Sequence, residues 1–343
     1  MNEDIIEESI IIKSKEELRE LFGSLDSNIK MISQSLSVII SNRNSNLTVT
    51  GEKDNVCKAV KVIEDLLVII RGGYSVKLSE IKYQIDMIKE NCTFHIEQLY
   101  EEEIHVFKKD KIIRPKTFGQ KRILEKIQNN DILFVIGPAG SGKTYLAVAI
   151  AISALKKKEV DRIILIRPAV EAGESLGFLP GDFMEKIDPY FRPLYDAIFE
   201  MMPSDKFQHY LDRGIIEVAP LAYMRGRTLN NSFIILDDAQ NTTLGQMKMF
   251  LTRFGFGSKI IVTGDITQID LPESKNSGLV KISNILNDIK GIEFVNLEKN
   301  DVVRHGLVKE IIKAYEKSDN NTGSEIKKSF KENRTKEQEN EKR

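Results

Sequence analysis

The stretch that decides the fold is Asp131-Ile-Leu-Phe-Val-Ile136, followed at once by Gly137-Pro-Ala-Gly-Ser-Gly-Lys-Thr144. The first part is a short apolar run, which is typical of a parallel strand buried on both faces. The second matches the pattern G-x-x-x-x-G-K-[ST], and the apolar residues that follow over 145–155 predict a helix. Strand, glycine-rich loop and helix in this order predict a phosphate-binding loop (P-loop).

The loop also indicates what the site binds. Its glycines allow backbone N–H groups to surround a phosphate, and the start of the following helix favours negative charge. We expect Lys143 to reach the β- and γ-phosphates, where it also serves catalysis, and Thr144 to bind Mg²⁺. The loop residues assigned to nucleotide binding are Gly137, Pro138, Ala139, Gly140, Ser141, Gly142, Lys143 and Thr144.

A second apolar run supplies another ligand for that ion. Ser232-Phe-Ile-Ile-Leu236 predicts a strand next to the P-loop strand, and Asp237 and Asp238 follow it. We expect Asp237 to hold Mg²⁺ through water. Asp238 stands where hydrolysing P-loop enzymes usually carry glutamate, and we interpret it as a general base or water-positioning residue. The alternative is a cap for the next segment. Aspartate is one methylene shorter, and a misplacement of ~1 Å can slow a reaction on the order of 10²-fold.

Two glutamines are further candidates. Lys259-Ile-Ile-Val-Thr263 predicts a third strand, and Gly264-Asp-Ile-Thr-Gln268 after it resembles motif III of superfamily 1 helicases. Gln268 is therefore a candidate γ-phosphate or water sensor, with ordinary turn chemistry as the alternative. Gln120 lies 17 residues before Gly137. In such helicases a glutamine at a similar distance reads the adenine edge, because an amide both donates and accepts hydrogen bonds. This favours ATP over GTP.

Longer motifs, in order along residues of about 104 to 318, resemble the PhoH family. They are Arg114-Pro-Lys-Thr, Gly137-Pro-Ala-Gly-Ser-Gly-Lys-Thr-Tyr-Leu-Ala, Arg167-Pro-Ala-Val-Glu-Ala-Gly-Glu, Leu176-Gly-Phe-Leu-Pro-Gly-Asp, Tyr223-Met-Arg-Gly-Arg-Thr-Leu, Ile234-Ile-Leu-Asp-Asp-Ala-Gln-Asn-Thr-Thr, Thr263-Gly-Asp-Ile-Thr-Gln-Ile-Asp-Leu-Pro, Ser277-Gly-Leu and Asp301-Val-Val-Arg-His. The chain departs from the family pattern at Asp238, where glutamate is usual, and at Gly306, where proline is usual.

The resemblance implies an α/β fold with a RecA-like, superfamily 1 helicase-like P-loop core. It implies a cytoplasmic ATPase, often described as phosphate-starvation-inducible. It also implies RNA as a partner, association with the YbeY endoribonuclease and a part in ribosomal RNA maturation. The motif spacing by itself indicates only ATP binding and hydrolysis.

The first seventy or so residues predict a small α+β unit. Ser27–Leu36 and Lys53–Ile70 have the apolar spacing of helices, and a polar turn joins two short apolar stretches between them. This helix–strand–strand–helix order resembles a KH-like RNA-binding fold. A KH module clamps RNA with a GxxG loop, whereas Gly23-Ser-Leu-Asp26 ends in an acid that repels phosphate. RNA binding and a scaffold for protein contacts both remain open.

Composition divides the chain into segments. We predict a KH-like domain at 1–73, a connecting helix and linker at 74–110, the ATPase domain at 111–318 and a disordered charged tail at 319–343. The tail has only Ile326 and Phe330 as sizeable apolar groups, too few to offset its ordering entropy. The net charge of −1 conceals −6 over residues 1–110 and +5 over the rest. An RNA contact is therefore better sought on the ATPase domain.

A single RecA-like domain lacks the second domain from which superfamily 1 helicases supply an arginine finger. We therefore expect a ring or another head-to-tail homo-oligomer, with a hexamer as the candidate, in which a neighbouring subunit supplies the arginine. Arg304 is assigned to catalysis on this ground, and the other candidates are Arg167, Arg225, Arg227 and Arg253. In the long insertion before Pro220, Tyr190, Phe191 and Arg192 are candidates for stacking on bases, with packing as the alternative.

The remaining composition excludes several classes of protein. With 41% hydrophobic and 29% charged residues, the chain is neither disordered in bulk nor fibrous. No apolar run approaches the ~20 residues of a membrane span, and the acidic start is no signal peptide. We expect a cytoplasmic protein without a membrane partner. Cys57 and Cys92 form no disulfide framework, and the 4 histidines lack zinc spacing.

We therefore predict an ATP- and Mg²⁺-dependent ATPase that acts in RNA metabolism, with helicase activity left open. One alternative is a slow, ATP-switched adaptor that recruits a ribonuclease, which the short Asp238 side chain favours. A second is a P-loop phosphotransferase. The helicase-like motif at Gly264–Gln268 and the lack of a compact kinase lid count against it.

Overall fold

A computed structural model describes residues 5–43, 46–90, 96–109, 111–168, 183–271 and 277–303, together with 307, 308, 311, 314 and 315. The chain separates into two compact units, Met1–Val302 and Val303–Arg343. Within the described residues, the first unit holds a three-stranded, a two-stranded and a six-stranded sheet. No helix in the described part of the chain is long and apolar enough to cross a membrane.

The KH-like layer is a three-stranded antiparallel sheet with helices packed on one face. Its elements are β1 (Ile5–Ile11), α1 (Lys15–Phe22), α2 (Ser27–Leu36), β2 (Ile39–Arg43), β3 (Asn46–Glu52), α3 (Lys53–Arg71) and α4 (Leu78–Lys89). The strand order is β1-β3-β2, with Ile10 opposite Leu47. The apolar sides of α2 and α3 pack on this sheet and bury Ile32 and Ile63 completely. The KH-like α+β fold predicted from the sequence is thus confirmed.

The sequence pattern misses β1 and α1. β1 is an edge strand whose only buried residue is Ile10, so it lacks the alternation that marks a half-buried strand. α1 does carry a local signal, a Ser-x-x-Glu start of the capping type. Ser14 Oγ accepts a hydrogen bond from the Glu17 backbone N–H at 3.1 Å, and the Glu17 carboxylate accepts one from Lys13 N at 2.9 Å.

The loop at Gly23–Asp26 therefore lies between α1 and α2, rather than before the first helix. Leu25 and Asp26 both have left-handed backbones, with φ of +52° and +60°. The Leu25 side chain is 88% exposed, and its carbonyl accepts a hydrogen bond from Lys30 Nζ at 2.8 Å. The tip presents an apolar and an acidic side chain where a GxxG loop presents backbone.

α4 is more than a connecting helix. It ends at Lys89, and it packs on α2 and α3 with Ile81 and Ile85 buried. Its polar appearance is partly due to Gln84, which is buried and donates to the Asp65 carboxylate on α3 at 2.9 Å. The predicted domain boundaries at 73, 110 and 318 stay predictions.

The central sheet follows a short antiparallel pair of strands in the chain. The elements are β4 (Ile104–His105), β5 (Ile112–Ile113), α5 (Phe118–Asn129), β6 (Ile132–Ile136), α6 (Lys143–Lys156), β7 (Arg162–Arg167), α7 (Phe183–Met201), α8 (Ser204–Asp212), β8 (Ile216–Pro220), β9 (Ser232–Leu236), α9 (Leu244–Leu251), β10 (Lys259–Gly264), α10 (Gly278–Leu286) and β11 (Ile292–Asn296).

All six strands of the central sheet are parallel, in the order β11-β6-β10-β9-β7-β8. Alternate residues of β6, β7, β9 and β10 belong to two separate apolar cores, one on each face, which explains their continuous apolar sequences. The sequence predicts that the strand before Asp237 lies next to the P-loop strand, and this is wrong. β10 lies between the two strands. Neighbouring strands pair through a hydrogen-bond register that no local pattern records.

We expect Phe134→Ala to lower the free energy of unfolding by about 3–5 kcal/mol. Phe134 on β6 is fully buried and stacks on Phe294 of β11, with ring centroids 4.6 Å apart. The matched control is Phe256→Ala, at a side chain that is 91% exposed and should cost almost nothing. Urea denaturation of both variants measures the difference, and equal losses would contradict the assignment of the core.

We also expect Glu17→Gln to destabilise the protein at neutral pH but not in acid. The Arg71 guanidinium contacts both carboxylate oxygens of Glu17, at 3.0 and 3.2 Å, and its hydrogen bonds lower the pKa of Glu17. The stability this supplies is present above the unfolded pKa and is lost as the pH falls through the folded pKa. Unfolding midpoints at pH about 7 and about 3 should show a gap between wild type and variant that closes in acid.

Candidate nucleotide-binding site

The P-loop joins the end of β6 at Ile136 to the start of α6 at Lys143. Gly142 has a φ of +82°, a left-handed backbone that favours glycine. Gly137 leaves no room for a side chain, because a Cβ there would lie 2.6 Å from the Cβ of Leu297. The predicted strand, loop and helix therefore form a tight turn at the carboxyl edge of the central sheet.

The Lys143 side chain folds back over this turn. Its Nζ donates hydrogen bonds to the carbonyl oxygens of Gly137, at 2.7 Å, and Pro138, at 2.9 Å. The Ser141 hydroxyl donates to the same Pro138 carbonyl at 2.8 Å. The ammonium group is thus held at the loop itself, which is where a P-loop lysine meets phosphate.

Asp237 is the centre of a short hydrogen-bond cluster. Its Oδ1 accepts from the hydroxyls of Thr144 and Thr263, each at 2.6 Å, and the residue is only 3% exposed. Thr144 lies in the first turn of α6. Thr263 lies on β10, the strand between β6 and β9. Thr144 and Asp237 were predicted to bind the same ion, whereas Thr263 was not among the predicted site residues. Thr263 could have been predicted from its position at the end of the third predicted strand, because the ends of parallel strands meet at one edge of a sheet.

The Thr144–Asp237 pair fits a magnesium ion. A hydroxyl and a carboxylate oxygen at this separation are the kind of ligand that Mg²⁺ takes while keeping several waters. Across the described residues, no group of three or more His, Cys, Asp or Glu side chains is placed to hold a metal. Phosphate oxygens and water would therefore complete the coordination shell of an ion at this pair.

Asp238 is bound by Arg167. Arg167 ends β7, and its guanidinium donates one hydrogen bond to Asp238 Oδ2 and another to the Tyr190 carbonyl of α7. The Gln240 amide lies 3.5 Å from the other Asp238 oxygen. Asp238 has a left-handed backbone with a φ of +52°, which aspartate tolerates better than most residues. Arg167 was one of the predicted candidates for an arginine finger that one subunit supplies to its neighbour. In the structure it contacts Asp238 of its own chain.

Asp265 was not a sequence candidate, although it contacts the P-loop directly. Its Oδ2 accepts a hydrogen bond from the Ala139 backbone N–H at 2.8 Å, and its own N–H donates to the Gln240 side chain at 3.0 Å. Gln268 follows in the same turn, where its backbone N–H donates to the Asp265 carbonyl at 3.1 Å. The Gln268 side chain is exposed. Its role as a sensor stays a prediction.

Gln120, in the first turn of α5, also contacts the P-loop. Its amide nitrogen donates to the Ser141 carbonyl at 2.9 Å, and its amide oxygen accepts from Lys116 N at 2.7 Å. The residue is buried. Both ends of the amide are thus engaged within the protein. The structure brings Gln120 to the loop, and its reading of adenine stays a prediction.

The arginine candidates have different surroundings. Arg304 lies outside the described residues. Arg227 forms a double ion pair with Glu217, at 2.5 and 2.7 Å, and Arg253 donates to the Met249 and Arg227 carbonyls. Arg225 is exposed. None of the described candidates is thereby identified as a finger.

The stacking interpretation is wrong for Phe191. Its side chain is 3% exposed and packs in the main apolar core with Leu194 and Ile198 of the same helix. Tyr190 is partly exposed and Arg192 exposed. The alternative, packing of the inserted segment, therefore holds for this residue.

Comparison with known proteins gives one consistent result. A family model described as PhoH-like protein matches residues 112–316. The PhoH-like protein of Bacillus subtilis is 49% identical over 317 residues, which cover 92% of this chain and 99% of the relative. That of Mycobacterium tuberculosis is 51% identical over 295 residues, covering 86% and 84%. That of Synechocystis is 44% identical over 309 residues, covering 90% and 94%.

We expect Gly137→Ala to lower the unfolding temperature and Gly245→Ala to leave it unchanged or raise it. The new methyl group at 137 would meet Leu297, and overpacking of this kind typically costs about 1–3 kcal/mol. Gly245 lies in α9, where a Cβ would meet nothing within 4 Å, and alanine is the better helix former there. Differential scanning calorimetry compares the two, and an unshifted Gly137→Ala would contradict the tight approach of Leu297, which follows β11.

Proposed function

The chain belongs to the PhoH family, and from the geometry of its P-loop site we propose that it binds and hydrolyses ATP with Mg²⁺ in RNA metabolism. The observation that carries the proposal is the Asp237 cluster. It joins the P-loop helix, β9 and β10 through two 2.6 Å hydrogen bonds to one buried carboxylate oxygen. A buried carboxylate needs such partners or a cation, and a nucleotide-bound ion meets the same need.

Thr144 and Asp237 would hold Mg²⁺, which when bound neutralises charge that develops on the β- and γ-phosphates. Lys143 turns from the Gly137 and Pro138 carbonyls to the phosphates. The P-loop N–H groups bind phosphate oxygens, and the Ala139 N–H exchanges its hydrogen bond with Asp265 for one of them. Phosphate thereby replaces contacts that the loop otherwise makes with its own chain.

Asp238 orients the attacking water or accepts its proton, and Arg167 sets its position. In the structure the Asp238 carboxylate is engaged by Arg167 and faces Gln240. Arg167 occupies one of the two Asp238 carboxylate oxygens, and the aspartate side chain is short. Both features support slow turnover in the absence of a partner. Gln268 is proposed as the sensor, and Arg304 as the finger supplied by a neighbouring subunit of a hexameric ring.

RNA is the proposed partner of the ATPase half, and a YbeY-type endoribonuclease is the proposed protein partner, in the cytoplasm. Two considerations support RNA: the family resemblance and the net charge of +5 over residues 111–343. The acidic tip at Gly23–Asp26 supports a scaffold role for the KH-like layer. The tail predicted at 319–343 lies outside the described residues.

A second candidate is a nucleotide-switched adaptor that holds ATP and recruits a ribonuclease. The engagement of Asp238 by Arg167 favours it, because Arg167 occupies one of the two carboxylate oxygens that could act on water. A P-loop phosphotransferase is disfavoured, since the helicase-like turn at Gly264–Gln268 contacts the P-loop through Asp265.

Steady-state ATPase with and without single-stranded RNA separates these functions. We expect Lys143→Ala to abolish turnover, whereas Lys248→Ala, an exposed lysine on α9, should match wild type. Stimulation by RNA supports an RNA-dependent motor, and slow turnover indifferent to RNA supports the adaptor. Turnover retained in Lys143→Ala would sink the proposal.

We expect Asp238→Glu to raise turnover on the order of tenfold or more, because the longer side chain moves the carboxylate forward by about 1 Å. Rates of the variant and of wild type at saturating ATP provide the measurement. An unchanged or lower rate would show that the short carboxylate does not limit hydrolysis.

A further inference from the structure

The first turn of α5 is capped by three separate parts of the chain. Phe118 N–H donates to the Tyr83 hydroxyl at 3.0 Å, Gly119 N–H to the Asp301 carboxylate at 3.2 Å, and Gln120 N–H to the Thr117 hydroxyl at 3.2 Å. The first N–H groups of a helix have no partner within it and must find one elsewhere. We call this set of contacts the α5 junction.

Gln120 connects the α5 junction to the P-loop. Its side chain donates to the Ser141 carbonyl at 2.9 Å and is fixed at its other end by Lys116 N at 2.7 Å. A Cβ on Gly142 would lie 3.0 Å from the same amide nitrogen, so loop and glutamine are in close contact. A displacement of the first turn of α5 is therefore passed to the backbone that would surround the phosphates.

α4 of the KH-like layer supplies one of the three caps, and the residue after it contacts the neighbour of a second. Tyr83 lies on α4. Glu90, which follows the last residue of α4, accepts a hydrogen bond from Asn300 at 2.6 Å. Asn300 directly precedes Asp301 in the chain. A Cβ on Gly119 would lie 2.4 Å from the Asp301 carboxylate, so the approach of Asp301 to α5 is tight.

The position of Tyr83 is set by the KH-like layer. Its ring belongs to the apolar core of that layer, together with Ile81 and Ile85 of the same helix. The hydroxyl reaches out of this core to the Phe118 N–H. The layer and the P-loop are thus joined by a short chain of contacts: Tyr83, Phe118 at the start of α5, Gln120 and Ser141.

We propose that Tyr83 is a positioning residue through which the KH-like layer sets the nucleotide affinity of the P-loop. The proposal rests on the proposed function, since it assumes that the loop binds ATP. Loss of the Tyr83 hydroxyl leaves the Phe118 N–H without this cap and lets the first turn of α5 move. Binding of the phosphates weakens, because it depends on the placement of the loop N–H groups.

Tyr83→Phe tests this with the ring kept in place. We expect the dissociation constant for Mg-ATP, measured by isothermal titration calorimetry on the full chain, to rise about fivefold, the effect of one typical hydrogen bond. The KM should rise with it while kcat stays within about twofold of wild type. The matched control is Tyr100→Phe, which loses a hydrogen bond of equal length, 3.0 Å to Glu80, that does not involve a residue of α5. It should bind as wild type does.

A double-mutant cycle checks the route. Tyr83→Phe combined with Gln120→Ala should weaken binding by less than the product of the single effects, because both variants interrupt the same chain of contacts. Multiplicative effects would overturn the route through Gln120. Equal affinities for Tyr83→Phe and Tyr100→Phe, with wild type binding ATP, would overturn the inference alone. Wild type that fails to bind Mg-ATP would overturn the proposed function and the inference with it.

Discussion

The interaction on which the site depends is the acceptance of two hydroxyl hydrogen bonds by the buried Asp237 carboxylate. A charge at this depth is costly unless it is paired or hydrogen-bonded, and Thr144 and Thr263 supply the hydrogen bonds at 2.6 Å. They also fix three elements relative to one another, since they connect the first turn of α6, the end of β9 and the end of β10. Thr144 and Asp237 are also the residues proposed to hold a metal ion.

The parallel sheet explains why the other groups gather there. The ends of β6, β7, β9 and β10 meet at one edge, which brings Arg167 to Asp238 and Asp265 to the P-loop. Groups that would contact a ligand are hydrogen-bonded within the protein. Lys143 donates to backbone carbonyls, and the Ala139 N–H donates to the Asp265 carboxylate. In the proposed function, nucleotide binding would exchange one set of polar contacts for another, and its strength would then depend on the position of the loop.

That sensitivity gives the α5 junction its importance. Gly119 and Asp301 are 182 positions apart in the chain, yet they meet at the start of the helix that carries Gln120 to the loop. The KH-like layer reaches the same helix through Tyr83. The nucleotide site therefore has contacts both with the residues after β11 and with the layer that precedes the central sheet. These contacts offer a physical route by which either could alter nucleotide affinity.

The sequence by itself determined the P-loop, the strands β6, β9 and β10, Asp237 and the family. Each is a local pattern: a buried parallel strand is a continuous apolar run, and the loop needs glycine and lysine at fixed spacing. Only the tertiary structure decided that β10 lies between β6 and β9, that Thr263 and Asp265 belong to the site, that Arg167 holds Asp238, and that Phe191 is core. It also gave β1, whose apolar signal is weak, and α1, whose Ser-x-x-Glu start the sequence prediction missed. The reason is that strand order and side-chain partners depend on contacts between residues far apart in the chain, and no local periodicity encodes these.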